Sequence, residues 1–125
     1  MTLAEVSPSV RAAPTLPSAL LTPEVRAEGT RTVITLRGEA DSSTRPVMFD
    51  VLSGVVATGT GDVVVDLAEL KFIDTATVRV LAVAQQILDR RGRGMTFRSP
   101  SRLAVLMLAV SGLTHLVEAR AVANP

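Results

Sequence analysis

The sequence predicts an α/β fold, a mixed β-sheet with crossover helices packed on it. Three observations carry that reading. Strand-like and helix-like periods alternate from Glu24 onward. The run "DVVVDL", 62 to 67, is apolar without alternation, as suits a buried central strand. That strand then leads through Asp74 and Thr75 into a helical rhythm, so helices fall as connections between strands.

The elements follow in order. The opening "MTLAEVSPSVRAAPTLPSALLTPE" carries Pro8, Pro14, Pro17 and Pro23 and lacks the basic start and unbroken apolar run of a secretory signal. Residues 1–22 therefore read as a flexible tail and 23–125 as the domain. In "RTVITLRGEAD", 31 to 41, Val33, Ile34 and Leu36 form a short β-rich run stopped by Gly38. "SSTRPVMFDVLSGVVATG", 42 to 59, changes to helical spacing, with Pro46 suited to a first helical turn. After the "DVVVDL" strand a helix is predicted over 75 to 91, closed by "GRG" with Gly92 as a left-handed cap. "MTFR" reads as a strand, "SRLAVLMLAVSG" as a helix closed by Gly112, and "HLVEA" as a last strand. The predicted order is β-β-α-β-α-β-α-β, with no internal repeat.

Composition narrows the function. At 125 residues with 47% hydrophobic content the chain suits one domain with a proper core. Aromatics are only 2%, so the core is aliphatic and the stacking platforms of single-stranded nucleic-acid binders are missing. A net charge of +1 leaves no electrostatic footprint for nucleic acid or an anionic membrane. Without cysteine there are no disulfides, thiol catalysis or Cys-based metal sites, and the lone His115, predicted at a surface or rim, builds no multi-histidine site. The longest uncharged apolar stretch, 103 to 113, falls short of the roughly 20 residues of a membrane span. A soluble, cytoplasmic protein with no cofactor or metal is expected, without nucleic-acid or membrane partners.

Candidate chemistry is sparse. "ATGTGD", 57 to 62, precedes a strand and lacks Gly-Lys-Ser/Thr, so it reads as a loop and not as a phosphate cradle. "RRGRG", 90 to 94, reads as cations opposing a helix macrodipole at its C-terminus. Ser42, Ser43 and Thr44 beside Asp41 have no arguable base and read as helix-capping residues. With no acid/base pair, nucleophile dyad or metal cluster, no enzyme is predicted.

Asp74 and Thr75 remain. At minimum they form an N-cap pair, worth about 1 kcal/mol. Along the following helix, at about 100° per residue, Thr77, Val80, Leu81, Ala84, Ile87 and Leu88 share the predicted core arc. Arg79, Gln85, Gln86, Asp89 and Arg90 fall opposite. Thr75 lies on the polar side, and Val78 and Ala82 are predicted to share that side as a small apolar track for a partner.

The run "VVVDLAELKFIDTATVRVLAVAQQILDRRG" resembles the signature of the STAS family, the domain shared by anti-sigma-factor antagonists and sulfate transporters. Members run as a hydrophobic strand, Asp-Leu, a short linker, Phe-Ile/Met-Asp-Ser-Ser-Gly and an amphipathic helix. "LRGEAD", 36 to 41, is similar to the family's Gly-Glu-Leu/Ile-Asp, and "SPSRLAVLMLAVSGLTHL" to its closing helix with a Ser-Gly-Leu stop. Three motifs in family order span 25 to 118. The resemblance implies a single STAS-like domain and an anti-sigma-factor antagonist that binds a kinase-like anti-sigma factor and frees a sigma factor. Thr75 stands at the position of the phosphorylated serine, Asp74 and Asp41 at the aspartates beside it, and Val78 at the apolar partner contact. Arg79 and Ala82 complete the implied contact patch. The chain departs from the pattern in Ala76, where the second serine stands, in Thr77, where the glycine stands, and in lacking the terminal helix at "ARAVANP". The alternative is a non-switching STAS scaffold in a signalling or lipid-transport assembly, with Thr75 only a cap.

In the closing helix, Arg102, Val105, Leu106 and Ala109 form one i, i+3, i+4, i+7 stripe, while Leu103, Met107 and Val110 are predicted to pack on the sheet. A helix apolar nearly all round is normally covered on both sides. Val105, Leu106 and Ala109 either form a modest exposed patch, which a small domain can carry, or meet a second copy, as a homodimer, or the "LPSALL" segment, 16 to 21.

Overall fold

Four strands and three helices are laid out in the computed structural model, which describes residues 20–118. In chain order they are β1 (Leu21–Glu28), β2 (Arg31–Ala40), α1 (Arg45–Ala57), β3 (Val63–Ile73), α2 (Thr75–Arg90), β4 (Met95–Arg98) and α3 (Arg102–Val110), followed by a 3₁₀ turn, Thr114–Leu116. The sheet order is β1-β2-β3-β4. β1 and β2 pair antiparallel as a hairpin, whereas β2 with β3 and β3 with β4 pair parallel. Parallel neighbours need crossovers, which α1 and α2 supply. The mixed α/β sheet expected from the alternating periods is the one found.

Side-chain parity decides how the sheet is covered. Ile34 and Leu36 on β2 and Val63, Val65 and Leu67 on β3 face the helices and join Met48, Leu52, Leu81, Leu88 and Leu108 in one aliphatic core. Val33 and Val64 point the other way, yet they are buried too. Ion pairs roof them: Arg98 spans Glu28 and Glu118, Arg31 also meets Glu28, and Arg26 donates to the Thr35 hydroxyl. The unbroken Val63-Val64-Val65 run thus reflects a strand buried on both faces.

Several placements differ from the expectation, and β3 also runs past Leu67 to Ile73. β1 begins at Leu21, a core residue inside the stretch read as tail, while the rest of that tail, residues 1–19, lies outside the described residues along with most of "LPSALL". Gly38 does not stop β2. It sits at a register shift with φ +108°, and a Cβ there would collide with the Leu20 carbonyl oxygen, so only glycine lets β1 approach and β2 continue to Ala40. Of "HLVEA", the described residues 115–118 do not form a strand. The 3₁₀ turn uses the Leu116 and Val117 amides internally, leaving one bridge, Phe97 to Val117, and the Glu118 amide on the Phe97 carbonyl. On α3 the buried positions are Ala104 and Leu108, so Leu103 and Val110 do not pack on the sheet. Val105 is half-buried, Ala109 is exposed, and Leu106 and Val110 are 60% and 72% exposed.

Within "RRGRG", Arg90 stands in the last turn of α2 as expected, while Arg91 and Arg93 clamp a different helix. Gly92 closes α2 at φ +72°, with the Gly92 amide on the Asp89 carbonyl and the Arg93 amide on that of Leu88. Arg93, only 4% exposed, then turns back. Its guanidinium donates to the carbonyls of Gly61, Val56 and Val55 at 2.8, 3.1 and 3.3 Å, and Arg91 donates to Val56 at 2.9 Å. The cations therefore satisfy the C-terminus of α1, where orphan carbonyls and the dipole favour them.

Arg93→Ala should leave the Gly61 and Val55 carbonyls without that donor, Val56 keeping Arg91, at a cost of about 3 kcal/mol read as a lower urea midpoint; Arg93→Lys, which cannot reach three acceptors, should recover only part. Hydrogen bonding from Arg98, above all, holds the Glu28 carboxyl at about 2, below its ordinary 4.5. A depressed carboxylate stabilises the fold above its unfolded value and loses that contribution as pH falls. Denaturant midpoints should therefore decline between pH 4.5 and 2, with a shallower decline in Glu28→Gln.

Candidate functional site

The parallel pairing of β2 and β3 brings their C-terminal ends together, the place where open α/β sheets present their sites. Ala40 lies opposite Ile73, and the Asp74 amide donates to the Ala40 carbonyl at 3.1 Å. Asp41, at the exit of β2, and Asp74-Thr75, at the exit of β3, are therefore set side by side.

Asp74 is the N-cap of α2, as expected: one carboxylate oxygen accepts the Thr77 amide at 2.8 Å. The other accepts Arg45 at 3.0 Å. Partial burial opposes its charge, but Thr77 and the Arg45 guanidinium outweigh burial and the neighbouring Asp41, holding Asp74 below the usual carboxylate range. Thr77 acts chiefly through its amide, since its fully buried hydroxyl closes no hydrogen bond of good geometry among the described residues. Asp41 accepts the Ser43 hydroxyl at 2.7 Å and the Ser43 amide at 3.0 Å, and its carboxyl is lowered mainly by Ser43. Thr44 occupies the N-cap position of α1 without capping it. Its buried hydroxyl instead donates to the Glu39 carbonyl and accepts the Asp41 amide, stapling the turn.

Thr75 is the first residue of α2, half-buried, with its hydroxyl engaged by no hydrogen bond among the described residues. Two carboxylates held in their charged form flank it. Arg45 is the member of this cluster that sequence reasoning missed. A signal was there: a cation in the first turn of a helix with no acid beside it opposes the macrodipole, so it needs an external partner.

Arg79 is exposed one turn beyond Thr75, as expected. Val78 is not. It is 0% exposed, and Ala82 is half-buried against the core, so the predicted apolar track does not exist. The buried set on α2 is Thr77, Val78, Leu81, Ala84 and Leu88. Its arc is rotated by roughly 40° from the predicted one. The cause is unequal cover: the side toward Val78 is closed over, while the side toward α1 stays open, leaving Val80 and Ile87 half-buried and Val83 exposed.

The STAS family described as "Mlab, STAS domain" matches residues 24–118. No curated protein matches the chain in sequence. Among solved structures, an anti-sigma factor antagonist from Mycobacterium paratuberculosis superposes with a TM-score of 0.74 at 20% identity, covering 87% of this chain and 96% of its own. The antagonist SpoIIAA in its unphosphorylated form gives 0.68 at 19% identity, covering 78% and 86%. The Bacillus cell fate determinant SpoIIAA in its phosphorylated form gives 0.63 at 19%, covering 79% and 89%. Identities this low establish the fold.

Val78→Asp should unfold the domain, because the charge would enter a fully buried site with no partner, at a cost of about 4 kcal/mol or more. Loss of the cooperative thermal transition in circular dichroism is the expected result. Arg79→Asp, on the exposed side, should keep it.

Proposed function

The chain belongs to the STAS family, and on that premise we propose that it is an anti-sigma-factor antagonist: it binds a kinase-like anti-sigma factor at the mouth of α2, frees a sigma factor, and is switched by phosphorylation of Thr75. The reading is that of a cytoplasmic binding protein without a catalytic step of its own. The observation that carries it is a threonine at the first position of α2, its hydroxyl engaged by no hydrogen bond among the described residues and flanked by two ionised aspartates. The two neighbours named as SpoIIAA, one unphosphorylated and one phosphorylated, support it as relatives in fold.

The proposed contact patch is Asp41, Asp74, Thr75 and Arg79, with the half-buried Ala76 between them. Val78 and Ala82 contribute by fixing the helix from below. A phosphate on Thr75 adds −1.5 to −2 charge where helix amides and Arg45 tolerate it, so the domain stays folded. An approaching partner does not tolerate it. It would have to bury three negative groups together, and repulsion and desolvation both oppose that.

Thr75→Glu should weaken binding of the anti-sigma factor captured from the native cell at least about tenfold, roughly 1.4 kcal/mol by calorimetry, with the melting temperature nearly unchanged. Thr75→Ala should bind as the unmodified chain does. Equal binding by wild type and Thr75→Glu overturns the switch and leaves the non-switching scaffold.

A further inference from the structure

α1 and α2 pack on the same sheet face but do not close over each other. Between them runs an open groove of about 590 Å³. Its walls repeat one spacing: Phe49, Leu52 and Val56 on α1 stand at i, i+3 and i+7, and so do Val80, Val83 and Ile87 on α2. Phe49 and Val83 are 53% and 55% exposed, in a chain with three phenylalanines and no tryptophan or tyrosine. The charged residues lining the groove are both cations, Arg79 and Arg91. They stand twelve positions apart along α2 and its cap, so they mark ends about 18 Å apart. Arg91 is anchored there by the Val56 carbonyl.

We propose that this groove is the seat of an amphipathic helix from a partner protein, about three turns long, with an apolar stripe and acidic residues at both ends. Both walls are helices whose backbone groups bond within themselves, so they offer no edge to an extended peptide. A bound strand would bury its own amides unpaired, whereas a helix satisfies them internally. A stripe at i, i+3, i+4 and i+7 fills the cleft as a third helix packed against two. Acids at both ends meet the two arginines, where a single acyl carboxylate would meet only one. A second copy is disfavoured, since a two-fold contact through this patch sets its arginines against themselves. Residues 1–19 and 119–125 hold between them one acid, Glu5, so neither segment supplies the paired acids.

The test uses the full chain and a fluorescein-labelled, end-capped peptide of about fourteen residues, with leucines at i, i+3, i+4 and i+7, glutamates at both ends and alanine elsewhere, read by fluorescence polarisation. Saturable binding is expected, weakened at least tenfold by Val83→Asp and by Arg91→Glu, and lost when lysines replace the terminal glutamates. Val83 and Phe49 are both exposed, so if Val83→Asp fails to fold, Phe49→Ser gives the same reading. Thr75→Ala should leave peptide binding unchanged, which separates this surface from the proposed switch: the groove stands if the peptide binds and no anti-sigma factor does. No preference for glutamate over lysine ends, or binding indifferent to Val83 and Phe49, overturns the proposal. So does laurate displacing the peptide through Arg91 alone, which would assign the groove to acyl chains.

Discussion

One backbone hydrogen bond, from the Asp74 amide to the Ala40 carbonyl, holds the site together. It is the last rung of the β2–β3 pairing, and it forms only because β2 keeps going past Gly38 and β3 runs eleven residues to Ile73. A sheet in which either strand ended early would leave Asp41 and Thr75 on separate loops. The two register shifts between the strands are thus part of how the site is built: they let the nine residues of β2 from Thr32 to Ala40 and the eleven of β3 from Val63 to Ile73 finish level. From that rung the chain leaves β3 directly into α2, with Asp74 as both the end of one element and the cap of the next.

Two arginines then tie α1 into this frame, one at each end. Arg45 reaches from the first turn of α1 to the Asp74 carboxylate, and Arg93 reaches from beyond α2 to the last carbonyls of α1. They solve different problems. Arg93 meets the negative end of a dipole, which is favourable wherever it is placed. Arg45 sits at the positive end, which is unfavourable, and the ion pair with Asp74 offsets this. The pair also helps keep the N-cap ionised, so the mouth of α2 carries negative charge.

The sequence revealed most where periodicity and capping chemistry speak alone. The alternating periods, the Asp74 cap, the Gly92 stop and the Val63–Val65 strand were legible because each depends on neighbours within a few residues. Val78 was misread because a hydrophobic arc says which residues prefer burial and not which side of the helix its neighbours will cover. Gly38 was misread for a related reason. A glycine that ends a strand and one that lets another backbone pass at close range look alike until the Leu20 carbonyl is seen beside it. Arg93 was assigned to the nearer helix end because its acceptors lie more than thirty residues away.

The same unequal cover that buried Val78 left α2 with three separate duties around its circumference. Its N-terminus presents Thr75, its inner arc supplies Leu81 and Leu88 to the core, and its α1-facing flank lines the groove with Val80, Val83 and Ile87. A helix fixed at both ends, by the Asp74 cap and by the Gly92 turn, transmits little internal rearrangement between its faces, so mouth and groove are expected to act as independent surfaces. Their one shared element is Arg79, which stands a turn beyond Thr75 and also lines the groove. Any coupling between a charge at the mouth and an occupant of the groove would run through that guanidinium. It would be electrostatic, and therefore weakened by salt where a packing mechanism would not be.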